Sequence, residues 1–393
     1  MDIIIQKFGG TSVATKQARA QVIKKISAAI AAGFSPIVVV SAIGRIGAPY
    51  ATDTLLEFIK ANAGEMNAYE TDVLLSCGEL ISAVTISTIL NNQGIAAKTF
   101  TGGQAGIITD DHHTAASLLY TTPIKIITAL NKGIVPVVAG FQGVTTNDDI
   151  TTLGRGGSDT SASILGASVN ASRIEIYTDV DGIMTADPKI CDHVSKIEQL
   201  SYNEVFQMSD SGARVIHSKA VEYAMLANIP LIIKNTFSDD EGSIITQKAR
   251  VENQVHKTVT AIAHKTGRVQ YRLLKPPVAL LTKIATKNIS IDLINILPDT
   301  IIFTISDFDQ HTLEKLLAAE NCDFTKIEGC AKVTAIGERI TGVPGIMARI
   351  ANTLEHVNIP ILQTADSLTT IACLVREYEL KTAVIALHQE FDL

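Results

Sequence analysis

The chain has 393 residues, with 33 Lys and Arg against 40 Asp and Glu and a formal net charge of −7. Hydrophobic residues at 46% and charged residues at 19% exclude a disordered or fibrous chain, and the length points to two or three domains. The mild negative charge argues against nucleic-acid or anionic-membrane binding through bulk attraction.

The N-terminus, Met1-Asp2-Ile3-Ile4-Ile5-Gln6-Lys7, has neither the positive start nor the long apolar core of a signal peptide. No stretch is read as reaching the ~20 apolar residues of a membrane span. The five cysteines, Cys77, Cys191, Cys322, Cys330 and Cys373, form no C-x-x-C pair and are expected as buried thiols in a reducing compartment. The expected location is the cytoplasm, with no membrane and no nucleic-acid partner.

The first strand expected, Ile3 to Ile5, leads into Lys7-Phe8-Gly9-Gly10-Thr11-Ser12 and then a helix over 18–32. Two glycines after a strand let backbone N–H groups converge on an anion, and a lysine beside them adds fixed charge; a plain tight turn is the alternative. The Walker A spacing is absent, as is a G-x-G-x-x-G turn, which removes a nicotinamide dehydrogenase. A second strand, Ile37 to Val40, runs into Ser41-Ala42-Ile43-Gly44. Gly78-Glu79 stands in the helix expected over 77–90, where Glu79 by itself reads as an ordinary helix charge. Gly102-Gly103-Gln104-Ala105-Gly106 reads as an open loop.

The strand Ile134 to Ala139 precedes Gly140, and Leu153-Gly154-Arg155-Gly156-Gly157-Ser158-Asp159-Thr160 opens a helix over 161–167. Ser and Asp suit helix capping, but an arginine among glycines has nothing to pack on, and its guanidinium matches a carboxylate or phosphate. The strand Ile174 to Tyr177 ends at Thr178-Asp179-Val180-Asp181-Gly182, with Asp187-Pro188-Lys189 following. Carboxylates there fit a magnesium–phosphate complex or nucleotide hydroxyls, or simple Asx turns. Helix signals over 201–227 and a strand at Leu231 to Ile233 are expected to close a domain spanning 1–245. Alternating near-continuous apolar strands with helices gives an α/β domain with a mostly parallel central sheet, its ligands at the carboxyl ends of the strands.

Residues 256–393 contain an internal echo. Leu280-Leu281-Thr282-Lys283-Ile284-Ala285 recurs as Ile346-Met347-Ala348-Arg349-Ile350-Ala351, and Asn288-Ile289-Ser290-Ile291 as Asn358-Ile359-Pro360-Ile361. Each copy reads strand, helix, strand, strand, helix. The first spans about 266–328 and ends in a strand at Cys322 to Ile327. The second, about 329–393, runs out of chain, and the spare strand 258–263 is expected to cross over and complete it, which nests the two modules. His112, His113 and His217 lack zinc spacing, no metal site is expected from side chains alone, and G-x-S-x-G and H-E-x-x-H are absent.

Taken together, KFGGTS at Lys7–Ser12, VVVSA at Val38–Ala42, GQAGIITD at Gly103–Asp110, LGRGGSD at Leu153–Asp159 and TDVDGIMTAD at Thr178–Asp187 resemble the aspartate kinases of the amino acid kinase family. The C-terminal pair resembles their tandem βαββαβ ACT domains. The resemblance covers essentially the whole chain. It implies the amino acid kinase fold followed by two nested ACT-type modules, and an ATP- and Mg²⁺-dependent transfer of phosphate to L-aspartate giving 4-phospho-L-aspartate. It further implies a first step toward lysine (through diaminopimelate), threonine and methionine, at least a homodimer, and inhibition by lysine, threonine or meso-diaminopimelate at the ACT region.

By the same resemblance Lys7 faces the transferred phosphoryl group, with Phe8, Gly9, Gly10 and Thr11 on the phosphate loop. Ser41, Thr52, Glu79, Phe141, Arg155 and Ser158 surround aspartate, Glu79 taking its ammonium and Arg155 its α-carboxylate, with Asp159 beside them in the catalytic set. Thr178, Asp179, Met184, Lys189 and Arg214 border the nucleotide. Arg214 stands where relatives carry lysine, Met184 where many carry tyrosine, and a longer loop, Arg45 to Tyr50, precedes Thr52. Lys275-Pro276-Pro277 replaces an acid-glycine turn in the first ACT copy, while Thr341-Gly342-Val343-Pro344-Gly345 in the second stays near the family form, so one effector site is expected. Two other readings are a kinase for glutamate or N-acetylglutamate and a non-catalytic amino-acid sensor, which the presence of Lys7 and Arg155 disfavours.

Overall fold

A computed structural model describes residues 1–213, 216–247, 258–277, 279–338 and 340–393. Its contacts divide the chain into two units. Met1–Ile183, Lys196–Phe206 and residues 216–247 make the first; Met184–Ser195, Gln207–Ala213 and residues 258–393 make the second.

The first unit is built on an eight-stranded sheet. Its strands are β1 (Ile3–Phe8), β2 (Ser35–Val40), β3 (Ala97–Phe100), β4 (Val135–Ala139), β5 (Arg173–Thr178), β6 (Gln199–Ser201), β7 (Leu231–Asn235) and β8 (Ser243–Thr246). Their order is β6-β8-β7-β5-β1-β2-β4-β3, and all neighbours run parallel except β7 and β8. Leu231–Asn235 is therefore not the closing strand: the sheet continues through β8 and β6. The helices that bear on the site are α1 (Lys16–Ala31), α2 (Thr52–Ala63), α3 (Ala68–Asn92), α4 (Gly157–Ser168) and α5 (Ser218–Ala227). β1 lies at the centre, with β2 on one side and β5 on the other, so the connections leave it in opposite directions. The carboxyl end of β1 is thus a topological switch point, where open parallel sheets leave a crevice.

The central strands are mostly apolar because both faces are covered. Ile4, Ile5, Val38, Val39, Val137 and Val138 are fully buried. Gln6 intrudes on this pattern: its amide nitrogen donates to Glu175 Oε2 at 2.9 Å, which also accepts from the Tyr177 hydroxyl at 3.0 Å, while Gln6 Oε1 is buried with no partner. A hydroxyl beside a buried carboxylate holds its proton, and the Tyr177 phenol lies well above its ordinary range through burial and the Glu175 charge.

Helix α3 corrects an expectation. It is long and apolar enough to cross a bilayer by length and composition, yet here it is a core helix. Its Ala83, Ile86 and Leu90 join Phe8, Val38, Val40, Val137 and Ala139 in one cluster, and it carries the buried carboxylates Asp72 and Glu79. Asp72 accepts from the Thr114 amide (3.0 Å), Thr152 Oγ1 (2.5 Å) and His113 Nδ1 (2.9 Å). That bundle ties the loop around His113 and the strand ending at Thr152 to α3, just before the Gly154–Gly157 segment. The cysteines also depart from expectation: all five are free, but Cys77 is exposed and Cys322 half-buried.

The second unit holds a six-stranded sheet of β9 (Ala261–Leu274), β10 (Asp292–Leu297), β11 (Thr300–Ser306), β12 (Phe324–Ile336), β13 (Gln363–Ser367) and β14 (Thr370–Arg376). The order is β10-β11-β9-β12-β14-β13. Helices α6 (Leu280–Thr286) and α7 (Gln310–Ala319) belong to the first module, α8 (Ile346–His356) and α9 (Leu380–Glu390) to the second. The strand expected at 322–327 and the opening strand of the second module are one strand, β12. Its first half pairs with Gln270–Leu273 and its second with Ala261–Lys265 on β9 and with Thr370–Arg376 on β14. Likewise the spare strand and the opening strand of the first module are both β9. Two cores result: Val269, Tyr271 and Leu273 with Leu280, Leu313 and Leu317, and Val333, Ala335 and Ile371 with Ile350, Leu354 and Val384.

The segment Met184–Ser195 is held in the second unit by its own bonds. The Thr185 carbonyl accepts from the Ile262 amide (2.8 Å), Thr185 Oγ1 meets His388 Nε2 (2.8 Å), and Ala186 and Cys191 enter the core of the second module.

Candidate active site

The carboxyl end of β1 delivers Lys7 and Phe8 into a turn in which glycine is required by space. The Gly9 amide donates to the Tyr177 carbonyl at 3.2 Å, and Phe8 stacks on Tyr177 with ring centroids 4.7 Å apart. A Cβ on Gly10 would stand 2.5 Å from the Gly44 carbonyl oxygen and 2.8 Å from that of Ala42. The Gly44 amide in turn donates to the Gly10 carbonyl at 3.0 Å, and the Ser41 amide to that of Phe8 at 3.1 Å. The turns after β1 and β2 are therefore one packed backbone layer. Gly10→Ala is expected to cost about 2 kcal/mol or more, since backbone atoms cannot step aside as a side chain would; a thermal melt of the variant reads it directly.

Lys7 is buried, and its Nζ lies 2.5 Å from Asp159 Oδ1. Asp159 stands in the first turn of α4, whose N-cap is Gly156 at a φ of +69°. Gly154 also takes a left-handed φ, +75°. A Cβ on Gly157 would meet the Phe141 ring at 2.5 Å, and one on Gly140, the residue after β4, would meet Ser158 Cβ at 2.9 Å. Phe141 itself has a φ of +69°, a strained state for a bulky residue, braced by its amide bond to Ser161 Oγ at 3.0 Å. Arg155 projects from this loop into solvent.

Glu79 is 3% exposed. Its Oε1 accepts from the Ala42 amide at 3.1 Å, while Oε2 is buried with no partner. Burial pushes its carboxyl up to about 8 against the opposing pull of the Ala42 amide and the Lys7 charge. A buried acceptor left open needs a donor, and a cation supplies the strongest one. Thr52 opens α2, and Gly78 lets α3 approach Ala42 and the Tyr50 carbonyl.

On the other flank, Thr178 Oγ1 accepts from the Val180 amide at 3.1 Å, and Asp179 pairs with Arg45 Nη2 at 2.9 Å. The structure thus gathers Lys7, Phe8, Gly9, Gly10, Ser41, Thr52, Glu79, Phe141, Arg155, Ser158, Asp159, Thr178 and Asp179 on turns at the carboxyl ends of the parallel strands or on helices packed against them. Met184 and Lys189 lie on the segment grouped with the second unit, where the Lys189 amide closes an Asx turn on Asp187 Oδ1 at 2.9 Å. Arg214 lies outside the described residues. Gly102–Gly106 is not open, because a Cβ on Gly102 would fall 1.9 Å from the Gln142 carbonyl oxygen.

Arg45, Asp72 and His217 were not on the list of site residues. His217 packs against Gly156, whose Cβ would lie 2.3 Å from that of His217, and its Nδ1 accepts from the Lys219 amide to cap α5. Desolvation holds its imidazole below the ordinary range, opposed by the Asp159 charge. No group of three or more His, Cys, Asp or Glu suited to a metal occurs among the described residues.

The model of the amino acid kinase family matches residues 2–235, and an ACT-domain model matches 326–389. Aspartokinase 1 of Bacillus subtilis is 41% identical over 402 residues, covering the whole of both chains. The chain belongs to the aspartokinase family. As an aspartokinase-family member it is an ATP-dependent kinase with a carboxyl group as acceptor. E. coli aspartokinase III, solved with aspartate and ADP in the R-state, superposes with a TM-score of 0.83 at 25% identity over all of both chains. The same enzyme with lysine and aspartate in the T-state gives 0.74 at 25% identity, again with complete coverage.

Proposed function

We propose that this chain transfers the γ-phosphoryl group of ATP to the side-chain carboxylate of L-aspartate, giving 4-phospho-L-aspartate, in the cytoplasm and at the head of a route to lysine, threonine or methionine. The observation that carries the reading is the placing together of a buried, half-satisfied Glu79, on α3 and bonded to the turn after β2, and a buried Lys7 at the carboxyl end of β1. One group suits an ammonium, the other a phosphoryl oxygen, and together they fit an amino acid facing a phosphate tail. ATP supplies the activated phosphoryl group.

The acceptor is a carboxylate already ionised at neutral pH, so no general base is required. The barrier is repulsion between two anions, and Lys7 with the amides of Gly9 and Gly10 offsets it where charge builds up. Asp159 pairs with the Lys7 ammonium and aims it. Glu79 and Arg155 hold the two ends of the α-amino acid, which leaves the β-carboxylate to react. Mg²⁺ fits as a companion of the nucleotide: the described residues offer no closed cage of carboxylates, so the ion would rest largely on phosphate oxygens.

Regulation is placed at the second ACT module. Ile340, Val343, Gly345, Met347, Asp366 and Ile371 are among the residues lining an open hollow of about 280 Å³. Nothing lies within 4 Å of where a Cβ on Gly345 would be, and its φ is +91°. An amino acid such as lysine, threonine or meso-diaminopimelate suits that hollow. Assembly into at least a dimer would cover Ile294, Ile296 and Leu297, exposed on the sheet-edge strand β10.

Purified chain incubated with ATP, Mg²⁺ and L-aspartate, with hydroxylamine to trap the acyl phosphate, tests the reaction; L-glutamate and N-acetylglutamate serve as competitors, and each candidate effector is added in turn. Hydroxamate from glutamate in preference to aspartate would overturn the substrate assignment. Arg155→Lys is expected to raise the aspartate KM roughly 10- to 100-fold with kcat little changed, because an ammonium loses the bidentate fork; steady-state saturation curves give both constants.

A further inference from the structure

The loop after β2 carries a cation that neither the reaction scheme nor the family motifs use. Arg45 follows Gly44, whose amide donates to the Gly10 carbonyl at 3.0 Å, so its backbone is fastened to the phosphate turn. On its other side the Gly47 amide donates to Thr54 Oγ1 at 3.1 Å, and the Ala48 amide to the Arg45 carbonyl at 2.9 Å. Gly44 and Gly47 have φ values of +86° and +88°. The base of Arg45 is fixed and its side chain is free to reorient. That side chain is 72% exposed and meets Asp179, 44% exposed, at 2.9 Å. Asp179 follows β5 and Arg45 follows β2, and these two strands flank β1. The ion pair therefore links the turns on both sides of Gly9-Gly10.

Charge accounting gives this pair a purpose. A nucleoside triphosphate brings several negative charges to the turn. Lys7 meets the transferred phosphoryl group with a charge it shares with Asp159, and Arg155 is assigned to the amino acid's α-carboxylate, which leaves the rest of the phosphate tail to other donors. Arg45 is held by an exposed contact of the kind that water and salt already weaken, so its partner can be exchanged for a phosphate oxygen at little cost. Guanidinium also offers the forked geometry phosphate prefers.

We propose that Arg45 is a phosphate-binding residue of this site, parked on Asp179 in the free enzyme and transferred to the phosphate tail of the bound nucleotide. The proposal rests on the kinase reading above. Its test is direct binding of ATP and of AMP, each by calorimetry, to the wild-type chain, Arg45→Ala and Arg45→Lys. Arg45→Ala is expected to weaken ATP binding at least 10-fold and AMP binding less than 3-fold, with a shallower salt dependence for ATP, and Arg45→Lys to recover part of the ATP loss. Equal losses for ATP and AMP would make Arg45 a loop brace and overturn the proposal, as would unchanged ATP affinity in Arg45→Ala. Wild-type chain that fails to bind ATP would remove the kinase reading as well, which separates the two failures.

Discussion

Lys7→Ala is expected to lower kcat on the order of 100- to 1,000-fold while leaving the aspartate KM within a few-fold of wild type. The asymmetry follows from what Lys7 touches. Its ammonium sits against Asp159 and beside the Gly9 turn; on the proposed reading the transferred group passes there, whereas aspartate's own charges are met by Glu79 and Arg155. Removing Lys7 also leaves Asp159 a largely buried carboxylate without its cation, which should cost about 3 kcal/mol of stability. The two effects separate in a double variant. Lys7→Ala with Asp159→Asn should recover most of the lost melting temperature and none of the turnover. A single variant that loses activity purely through a higher aspartate KM would remove Lys7 from the phosphoryl path.

Glu79 predicts an unusual pH dependence. Its carboxyl is raised from 4.5 to about 8 in the free protein, chiefly by burial. Binding of an ammonium favours the ionised form, so aspartate must displace a proton whenever the pH lies below about 8. The aspartate KM should therefore rise as pH falls from 8, approaching tenfold per unit, and be flat above it. Glu79→Gln should abolish that slope and raise the KM roughly 100-fold, which saturation curves from pH 6 to 9.5 would show. Stability moves oppositely. Because the folded carboxyl lies above its unfolded value, the folded chain binds the extra proton between about 4.5 and 8. The wild type then loses stability as pH rises through that window and levels off beyond it. Glu79→Gln lacks this loss, so its melting temperature should gain on the wild type between pH 6 and 9.

Much of the fold was legible because it rests on local periodicity. The runs at Ile3–Phe8, Ser35–Val40, Val135–Ala139 and Arg173–Thr178 are mostly apolar and buried along nearly their whole length, and two covered faces are what such runs require. The glycine turns were legible for a similar reason, since each follows a strand end. Helix α3 began nine residues before its expected start at Cys77, because its first turns carry Glu70 and Asp72. Asp72 looks like a surface charge in sequence, and its partners at Thr114 and Thr152 are 42 and 80 positions away.

The same separation hid the electrostatics. Arg45 and Asp179 lie 134 positions apart, and no local pattern announces that they meet. Lys7 and Asp159 were both named from motifs, yet their union was not. The placement of Met184 and Lys189 was hidden in the same way: their segment follows β5 directly, but Thr185, Ala186 and Cys191 find their partners in the C-terminal core.

The two ACT modules share their middle strands, β9 and β12, each running unbroken from one helical layer to the next. Neither module is a detachable bead: a chain cut between them would sever backbone ladders in both. The joint falls at mid-strand, where the ladder shifts register between Lys265 and Gln270 and Gly267 and Gly329 take left-handed φ values of +65° and +63°. On the proposed reading, an effector that tightens the turn at Gly345 would act on β12, whose far end at Phe324 packs in the core of the first module. The bent middle of the shared strands is then the hinge any such signal must cross.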